Sequence, residues 1–171
     1  MPNNIVLYQP EIPQNTGNIM RTCVGTNTVL HLIEPLGFSL DENHVKRSGA
    51  GYVNDCEYHL YKNWEEFLEK NQGEFYFLTR YGHKTIYDVD AKDTNKNYYF
   101  VLGKESSGIP YEILQQNIDR CIRFPMTDKI RALNVSNCAC VIIYEALRQQ
   151  GFPGLFFEEP ETLKGKNFLH K

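Results

Sequence analysis

The fold is indicated most clearly by the stretch YYFVLGKESSGIP at residues 98–110. Its first five residues form a continuous apolar and aromatic run, which predicts a strand buried on both faces. Gly103 and Gly108 then mark a turn, and Pro110 suits the first turn of a short helix. A buried strand that ends in a polar loop is typical of a parallel α/β sheet, whose loops form ligand sites.

Two further segments repeat this arrangement of an apolar strand followed by a polar turn. The first is PEIPQNTGNIMR at residues 10–21, which follows a predicted strand at 4–8. The second is IRFPM at residues 122–126, which continues to LNVSN at 133–137 and into the last predicted helix. Because the carboxyl ends of parallel strands lie together, we expect the three loops to form one composite site.

The rest of the chain alternates short apolar runs with helical patterns. Strands are predicted at residues 4–8, 28–33, 56–61, 75–79, 98–102 and 121–124. Helices are predicted after a cap at Asn15 or Thr16, over 41–48, after Asn63, after Pro110, and over 136–150. Residues 86–97 are polar and irregular. This order predicts an α/β fold with a mostly parallel sheet flanked by helices.

The composition is that of an ordinary globular protein. The chain has 171 residues, of which 42% are hydrophobic and 23% charged, so one domain is expected. A net charge of −3 argues against non-specific coating of nucleic acid but allows a local basic patch. No secretion signal and no apolar run of membrane-spanning length is evident, which predicts a cytoplasmic protein without a membrane span.

Several familiar site signatures are missing. The spacing of Gly103 and Gly108 fits neither a dinucleotide-binding loop nor a P-loop. The five cysteines include no Cys-x-x-Cys pair and are expected to be reduced and mostly buried. Cys138 and Cys140 point to opposite sides of a helix, and the histidines show no ligand spacing. No metal site is therefore predicted.

The first loop carries Asn15, Asn18 and Arg21 at a spacing of three residues. On a helix these side chains spread over about 120° of one face. Two amides and a guanidinium in that arrangement could bind a phosphate and a sugar hydroxyl together. The alternative interpretation is a capping asparagine followed by two surface residues.

The second loop, residues 103–108, directly follows a buried strand. Gly103 would let a ligand approach the backbone closely, and exposed N–H groups could recognise an adenine edge or a carboxylate. The alternative is an ordinary strand-to-helix turn in which Ser107 caps the helix.

The third loop carries a local cluster of positive charge. Its cationic residues are Arg120, Arg123, Lys129 and Arg131. Such a cluster could bind an RNA backbone, or it could be a solvated rim.

Taken together, these segments resemble the motifs of a known family. The chain is similar to the SPOUT, or α/β-knot, methyltransferases, and within them to the TrmL-type tRNA 2′-O-methyltransferases. The resemblance extends over residues of about 3–155. The matching motifs are NNIVLY at 3–8, PEIPQNTGNIMR at 10–21, HLIEPLGF at 31–38, GKESSGIP at 103–110, IRFPM at 122–126, LNVSN at 133–137 and VIIYEA at 141–146.

The resemblance implies a fold, a cofactor and an oligomeric state. It implies one methyltransferase domain at residues 1–155, followed by a tail at 156–171. The C-terminal part of the sheet would form a deep trefoil knot whose loops bind S-adenosylmethionine. The family pattern places Leu78, Thr79, Gly103, Glu105, Phe124, Ala132 and Leu133 at that pocket. The final helix would form the interface of a homodimer.

The resemblance also implies a reaction on tRNA. The substrate would be the ribose 2′-hydroxyl of the wobble nucleotide, C34 or U34, in leucine tRNAs. Arg21 matches the catalytic arginine, and since a guanidinium stays protonated we expect it to hold a phosphate and the developing oxyanion. Asn15 and Asn18 would fix the ribose, while Asn134, Ser136 and Asn137 would shape the knot loop.

Three alternatives to this reaction stay open at this point. One is a related 2′-O-methyltransferase that acts on ribosomal RNA or on another tRNA position. Another is a knot-fold RNA-binding protein without catalysis. The third is a generic nucleotide-binding module, which the missing phosphate-loop signatures disfavour.

Overall fold

The computed structural model describes residues 3–41 and 43–170, and it confirms an α/β fold built on one parallel sheet. The strands are β1 Asn3–Tyr8, β2 Val29–Ile33, β3 Tyr58–Tyr61, β4 Glu74–Leu78, β5 Lys84–Thr85, β6 Tyr98–Leu102 and β7 Cys121–Arg123. Their order in the sheet is β3-β2-β1-β6-β4-β7-β5, and every neighbouring pair is parallel. All carboxyl ends therefore lie at one edge of the sheet.

Helices connect these strands and cover the two faces of the sheet. They are α1 Pro13–Thr26, α2 Asn43–Ser48, α3 Trp64–Lys70, α4 Tyr111–Gln115 and α5 Val135–Gln150. Short 3-10 turns occupy Tyr52–Asp55, Ile86–Asp88, Ile118–Arg120 and Phe168–His170. The helix predicted over 41–48 is found at Asn43–Ser48, and position 42 lies outside the described residues, as do 1–2 and 171.

The central strands separate two hydrophobic cores. In β1, Ile5 and Leu7 pack with side chains of α1 and α5, whereas Val6 packs on the opposite face with α3 and α4. The same alternation divides β6, in which Phe100 joins the first core and Val101 the second. These residues are buried on both faces of the sheet, and this explains the continuous apolar runs in the sequence.

The predicted cap of α1 is wrong, and the cap considered as an alternative for α4 is not found. Helix α1 begins at Pro13, and its N-cap residue Ile12 makes no side-chain cap hydrogen bond, so neither Asn15 nor Thr16 has that role. Proline at the first helical position needs no donor partner there, which allows the helix to begin at least three residues earlier than a cap at Asn15 would. Helix α4 has Pro110 as its N-cap residue, so Ser107 is not a cap.

The cysteines follow the prediction more closely. Cys23, Cys56, Cys121 and Cys138 are buried free thiols, while Cys140 is half-buried. Among the described residues, no helix has both the length and the apolar character needed to cross a membrane. The same residues contain no cluster of His, Cys, Asp and Glu side chains able to hold a metal ion.

Candidate active site

One cavity of about 730 Å³ lies at the carboxyl edge of the sheet. It is bounded by the loops that follow β4, β6 and β7 and by the beginning of α1. All seven residues that the resemblance assigned to the cofactor lie around it: Leu78, Thr79, Gly103, Glu105, Phe124, Ala132 and Leu133. The expectation that three distant loops form one composite site agrees with this geometry.

A chain of hydrogen bonds joins the three loops beside this cavity. Asn15 Nδ2 donates to Glu105 Oε1 at 3.3 Å, and Asn134 Nδ2 donates to Asn15 Oδ1 at 3.0 Å. The Glu105 carboxylate also accepts the backbone N–H groups of Glu11 at 2.9 Å and Ile12 at 3.2 Å. The amide of Asn15 therefore has partners at both of its ends and holds α1 in place relative to the other two loops.

The far end of this chain is the N-terminus of α5. Asn134 is the N-cap residue, because its Oδ1 accepts the backbone N–H groups of Ser136 at 2.9 Å and Asn137 at 3.3 Å. The Ser136 hydroxyl donates to the same oxygen at 2.6 Å. Ser136 is buried and does not line the cavity, so its observed contact is with the cap.

A second link ties the loop after β6 to the segment before α1. The Glu11 carboxylate accepts the Ser106 backbone N–H at 3.0 Å and the Ser106 hydroxyl at 2.8 Å. These bonds from Ser106 hold the pKa of the Glu11 carboxyl below its ordinary value. The Glu11 carboxylate thus accepts hydrogen bonds from the loop after β6, and the Glu105 carboxylate of that loop accepts hydrogen bonds from the segment before α1. Together these bonds fix the two segments to each other.

Gly103 is required by the protein chain itself. A Cβ at this position would collide with the backbone of Gly108 and Ile109, since Lys104 and Gly108 pair through backbone hydrogen bonds of 3.2 and 2.9 Å. Gly108 has a φ of +72°, which favours glycine. We predicted that a ligand would come close to the backbone at Gly103. On the side where a Cβ would project, that space is filled by the backbone of Gly108 and Ile109.

Arg21 and Asn18 lie apart from the cavity lining. Both are exposed on α1, and the Arg21 guanidinium lies 5.7 Å from the centroid of the Tyr52 ring. Tyr52 belongs to the 3-10 turn that packs against α1. No local sequence signal connects Tyr52 to Arg21, because their contact depends on the packing of two distant segments.

The predicted basic cluster is divided between two places. Arg120 forms an ion pair with Glu74, at 2.5 Å, and is 5.2 Å from the Tyr76 ring centroid, away from the cavity. Arg123 and Arg131 do line the cavity. Two other lining cations, Arg80 and Lys104, were not part of the prediction.

Comparison with known proteins identifies the family. A family model described as the SpoU rRNA methylase family matches residues 2–144. The chain belongs to this family. The resemblance based on the sequence motifs is thereby confirmed.

Individual relatives within the family are similar to this chain over most of its length. A Listeria innocua protein, provisionally named tRNA (cytidine(34)-2′-O)-methyltransferase, is 58% identical over 161 residues, which cover 94% of this chain and 95% of the relative. A Saccharophagus degradans protein that has this name without qualification is 42% identical over 153 residues, which cover 88% of this chain and 97% of the relative.

A solved structure of an RNA-modification study is also similar to this chain. It comes from a study of "the 2-OH methylation of C/U34 on tRNA" and is 34% identical to this chain. The match has a TM-score of 0.81 and covers 88% of this chain and 97% of that chain. At this identity the likeness is one of sequence as well as of fold.

Proposed function

We propose that this SpoU-family protein transfers a methyl group from S-adenosylmethionine to the ribose 2′-hydroxyl of nucleotide 34 in tRNA. The observation that carries the proposal is the single cavity formed by the three motif loops, which Glu105, Asn15 and Asn134 join. The names of the Listeria and Saccharophagus relatives support tRNA and position 34 as the target. Leucine tRNAs are the acceptors that we propose within that class.

The residues around the cavity fit S-adenosylmethionine. A volume of about 730 Å³ is within the usual range for a cofactor site. Leu78, Phe124 and Leu133 supply apolar walls that suit an adenine ring, and Lys104 and Arg131 supply cations for a carboxylate. When bound, the cofactor would supply an electrophilic methyl group on a sulfonium.

On the RNA side, the proposed catalytic residue is Arg21. Its guanidinium would hold an RNA phosphate and stabilise the negative charge that develops on the 2′-oxygen. The hydroxyl proton would leave to a phosphate oxygen or to water. The contact with Tyr52 supports this role, because a cation above an aromatic ring keeps its position without losing its charge.

The asparagines are proposed to act in two ways. Asn15 and Asn134 are positioning residues, since their amides bind Glu105, each other and the start of α5. Ser136 would act with them through the cap. Asn18 is exposed on α1 and is the asparagine that we propose to contact the ribose.

The domain and knot predictions become part of this proposal. We propose a methyltransferase domain at residues 1–155 with a tail at 156–171, and a trefoil knot in its C-terminal part. The sheet order supports the knot, because β7 lies between β4 and β5 although both precede it in the chain. We propose that the chain after β7 passes through the loop that joins those two strands.

We also propose a homodimer formed through α5, acting in the cytoplasm where tRNA is modified. Val141 and Tyr144 on α5 are 43% and 47% exposed. Beside them a second concavity of about 410 Å³ is lined by Tyr87, Leu133 and Val141, among others. An apolar face of this kind on a helix is typical of a subunit interface.

The test is transfer of labelled methyl groups from S-adenosylmethionine to total tRNA that lacks the wobble 2′-O-methyl mark. We expect 2′-O-methylcytidine or a 2′-O-methylated uridine derivative in leucine tRNA, detected by nucleoside mass spectrometry. Incorporation into ribosomal RNA alone would replace the proposed substrate. Cofactor binding without incorporation into any RNA would favour a silent RNA-binding protein.

A further inference from the structure

Two exposed tyrosines form a pair at the mouth of the cavity. Tyr81 follows β4 and Tyr111 begins α4, and their side chains are 55% and 61% exposed. Their rings meet edge to face with centroids 6.0 Å apart, and their hydroxyls are 3.5 Å apart. The Arg80 guanidinium lies 5.4 Å from the Tyr81 ring centroid. We call Arg80, Tyr81 and Tyr111 the aromatic rim.

Packing in the hydrophobic cores does not explain why Tyr81 and Tyr111 lie together. Tyr61 and Tyr99, by contrast, are buried in a hydrophobic core. The aromatic rim belongs to neither core, and each of its two tyrosines is more than half exposed to solvent. Exposed aromatic rings beside a cavity are suited to stacking on a planar ligand group.

The charge around the cavity is opposite to that of the whole chain. Its lining contains the cations Arg80, Lys104, Arg123 and Arg131 but a single carboxylate, Glu105. Within residues 3–41 and 43–170, no ion pair involves any of these four cations. The chain as a whole has a net charge of −3, so this concentration of positive charge is local.

The proposed cofactor accounts for only part of this charge, because its one carboxylate would be bound by Lys104 and Arg131. S-adenosylmethionine is itself a net cation at neutral pH, because its sulfonium and ammonium groups outnumber its carboxylate. Four cationic side chains would repel it unless a further anion occupied the same region. A sugar–phosphate backbone supplies that anion, and the bases attached to it supply planar groups for the tyrosines.

We propose that the aromatic rim holds one unstacked nucleotide of the tRNA anticodon loop, with its base on the rings of Tyr81 and Tyr111 and its phosphate on Arg80. The identity of the RNA rests on the proposed function. Enzymes that modify a nucleotide gain access to it by removing bases from the stack, and single-stranded loops are read by stacking on aromatic side chains. The rim would stabilise that opened form of the loop.

The test measures binding of an anticodon stem–loop to the full-length protein. We expect Tyr81→Ala and Tyr111→Ala each to weaken RNA affinity about tenfold, since one base stack contributes about 1–3 kcal/mol. Tyr81→Phe and Tyr111→Phe keep the rings and should retain the wild-type affinity. Tyr58→Ala is the matched control. It removes a 39%-exposed tyrosine from β3, the outermost strand on the side of the sheet away from the aromatic rim. The affinity for S-adenosylmethionine is measured for every variant and should not change.

An abasic site moved through the loop identifies the stacked nucleotide. At one position the missing base should weaken binding to the wild type but not weaken binding to Tyr81→Ala any further. Unchanged RNA affinity in both alanine variants would overturn the proposal, and so would a parallel loss of cofactor affinity, which would place the tyrosines on the cofactor. If the wild type binds the loop through the rim but transfers no methyl group, only the proposed function fails.

Discussion

Arg21 is the residue on which the proposed chemistry depends most directly. It is exposed on α1, and the first turn of that helix is bound to the loop after β6 through Glu105. Hydrogen bonds thus link the helix that carries Arg21 to a cavity loop, although Arg21 does not line the cavity. A change at Arg21 should affect the reaction without affecting the cofactor pocket.

We expect Arg21→Lys to lower kcat about 100-fold while the affinity for S-adenosylmethionine stays at the wild-type value. An ammonium keeps the charge but loses the forked geometry that can hold a phosphate and an oxyanion together. Single-turnover methylation and cofactor titration measure the two quantities. Arg120→Lys, at an ion pair away from the cavity, is the control and should remain active. Near-normal turnover of Arg21→Lys would exclude the catalytic role.

His31 is a buried residue whose protonation state matters for stability. Its Nδ1 is 2.8 Å from the Tyr61 hydroxyl and its Nε2 is 2.9 Å from Asn4 Oδ1. Burial, with a smaller contribution from His59, lowers its pKa from 6.5 to about 4. The folded protein therefore keeps His31 neutral at pH values where the unfolded chain protonates it.

This pKa predicts a loss of stability in mild acid. Above pH 6.5 the two states bind the same number of protons at His31, whereas below it the unfolded state gains a proton that the folded state excludes. We expect the free energy of unfolding to fall by about 2 kcal/mol between pH 6.5 and about pH 5 from this residue alone. Chemical denaturation of His31→Gln should show a flatter dependence in that window. Identical slopes for both proteins would contradict the assignment.

At the scale of elements, the N-terminus of α5 combines a helix cap with the hydrogen-bond chain of the site. Asn134→Ala removes both, so we expect a loss of about 1 kcal/mol in stability together with a loss of activity. Asn134→Asp keeps an acceptor for the cap but removes the donor to Asn15. Thermal unfolding should return close to the wild-type midpoint in this variant, while methyl transfer stays low. Recovery of full activity would show that Asn134 acts only as a cap.

Gly103, in the loop after β6, and Gly25, in α1, offer a matched pair of glycine substitutions. Gly103→Ala should abolish cofactor binding, because a Cβ there collides with the backbone of Gly108 and Ile109. Gly25→Ala in α1 meets nothing within 4 Å and should stabilise the protein by about 0.5–1 kcal/mol through helix propensity. Calorimetric titration with S-adenosylmethionine and thermal unfolding test the pair. Wild-type binding by Gly103→Ala would mean that the loop can open without cost.

The elements that the sequence predicted correctly are those with strong local patterns. The run at 98–102 and the helix that ends before Gly151 are found where they were expected, because periodicity and a C-terminal glycine depend only on neighbouring residues. Strand β5 was not predicted, since two residues cannot show a period. The role of Asn15 was also inaccessible, because its partners Glu105 and Asn134 are 90 and 119 positions away.

At the scale of the whole molecule, sheet order separates residues that are close in sequence. Arg120 precedes β7 and pairs with Glu74 at the start of β4, whereas Arg123 ends β7 and lines the cavity. Because Arg120 directly precedes the three-residue strand β7 and Arg123 ends it, the two arginines lie at opposite ends of that strand. The sequence therefore predicted one basic cluster, whereas in the structure Arg120 is separated from the arginines that line the cavity.

The proposed homodimer gives a prediction at the same scale. Val141→Arg places a charge on the exposed face of α5 and should convert the dimer to a monomer in sedimentation velocity. Leu68→Arg is a close control, because Leu68 on α3 is also 43% exposed but lies over the other core of the sheet. This variant should stay dimeric. Equal behaviour of the two variants would remove α5 from the interface.

The most direct test of the central claim is methyl transfer to two anticodon stem–loops that differ in a single oxygen atom. One has ribose at nucleotide 34 and the other has 2′-deoxyribose there. We predict labelled methyl incorporation into the first and none into the second, with both binding equally well. Equal incorporation into both would contradict methylation of the 2′-hydroxyl at position 34.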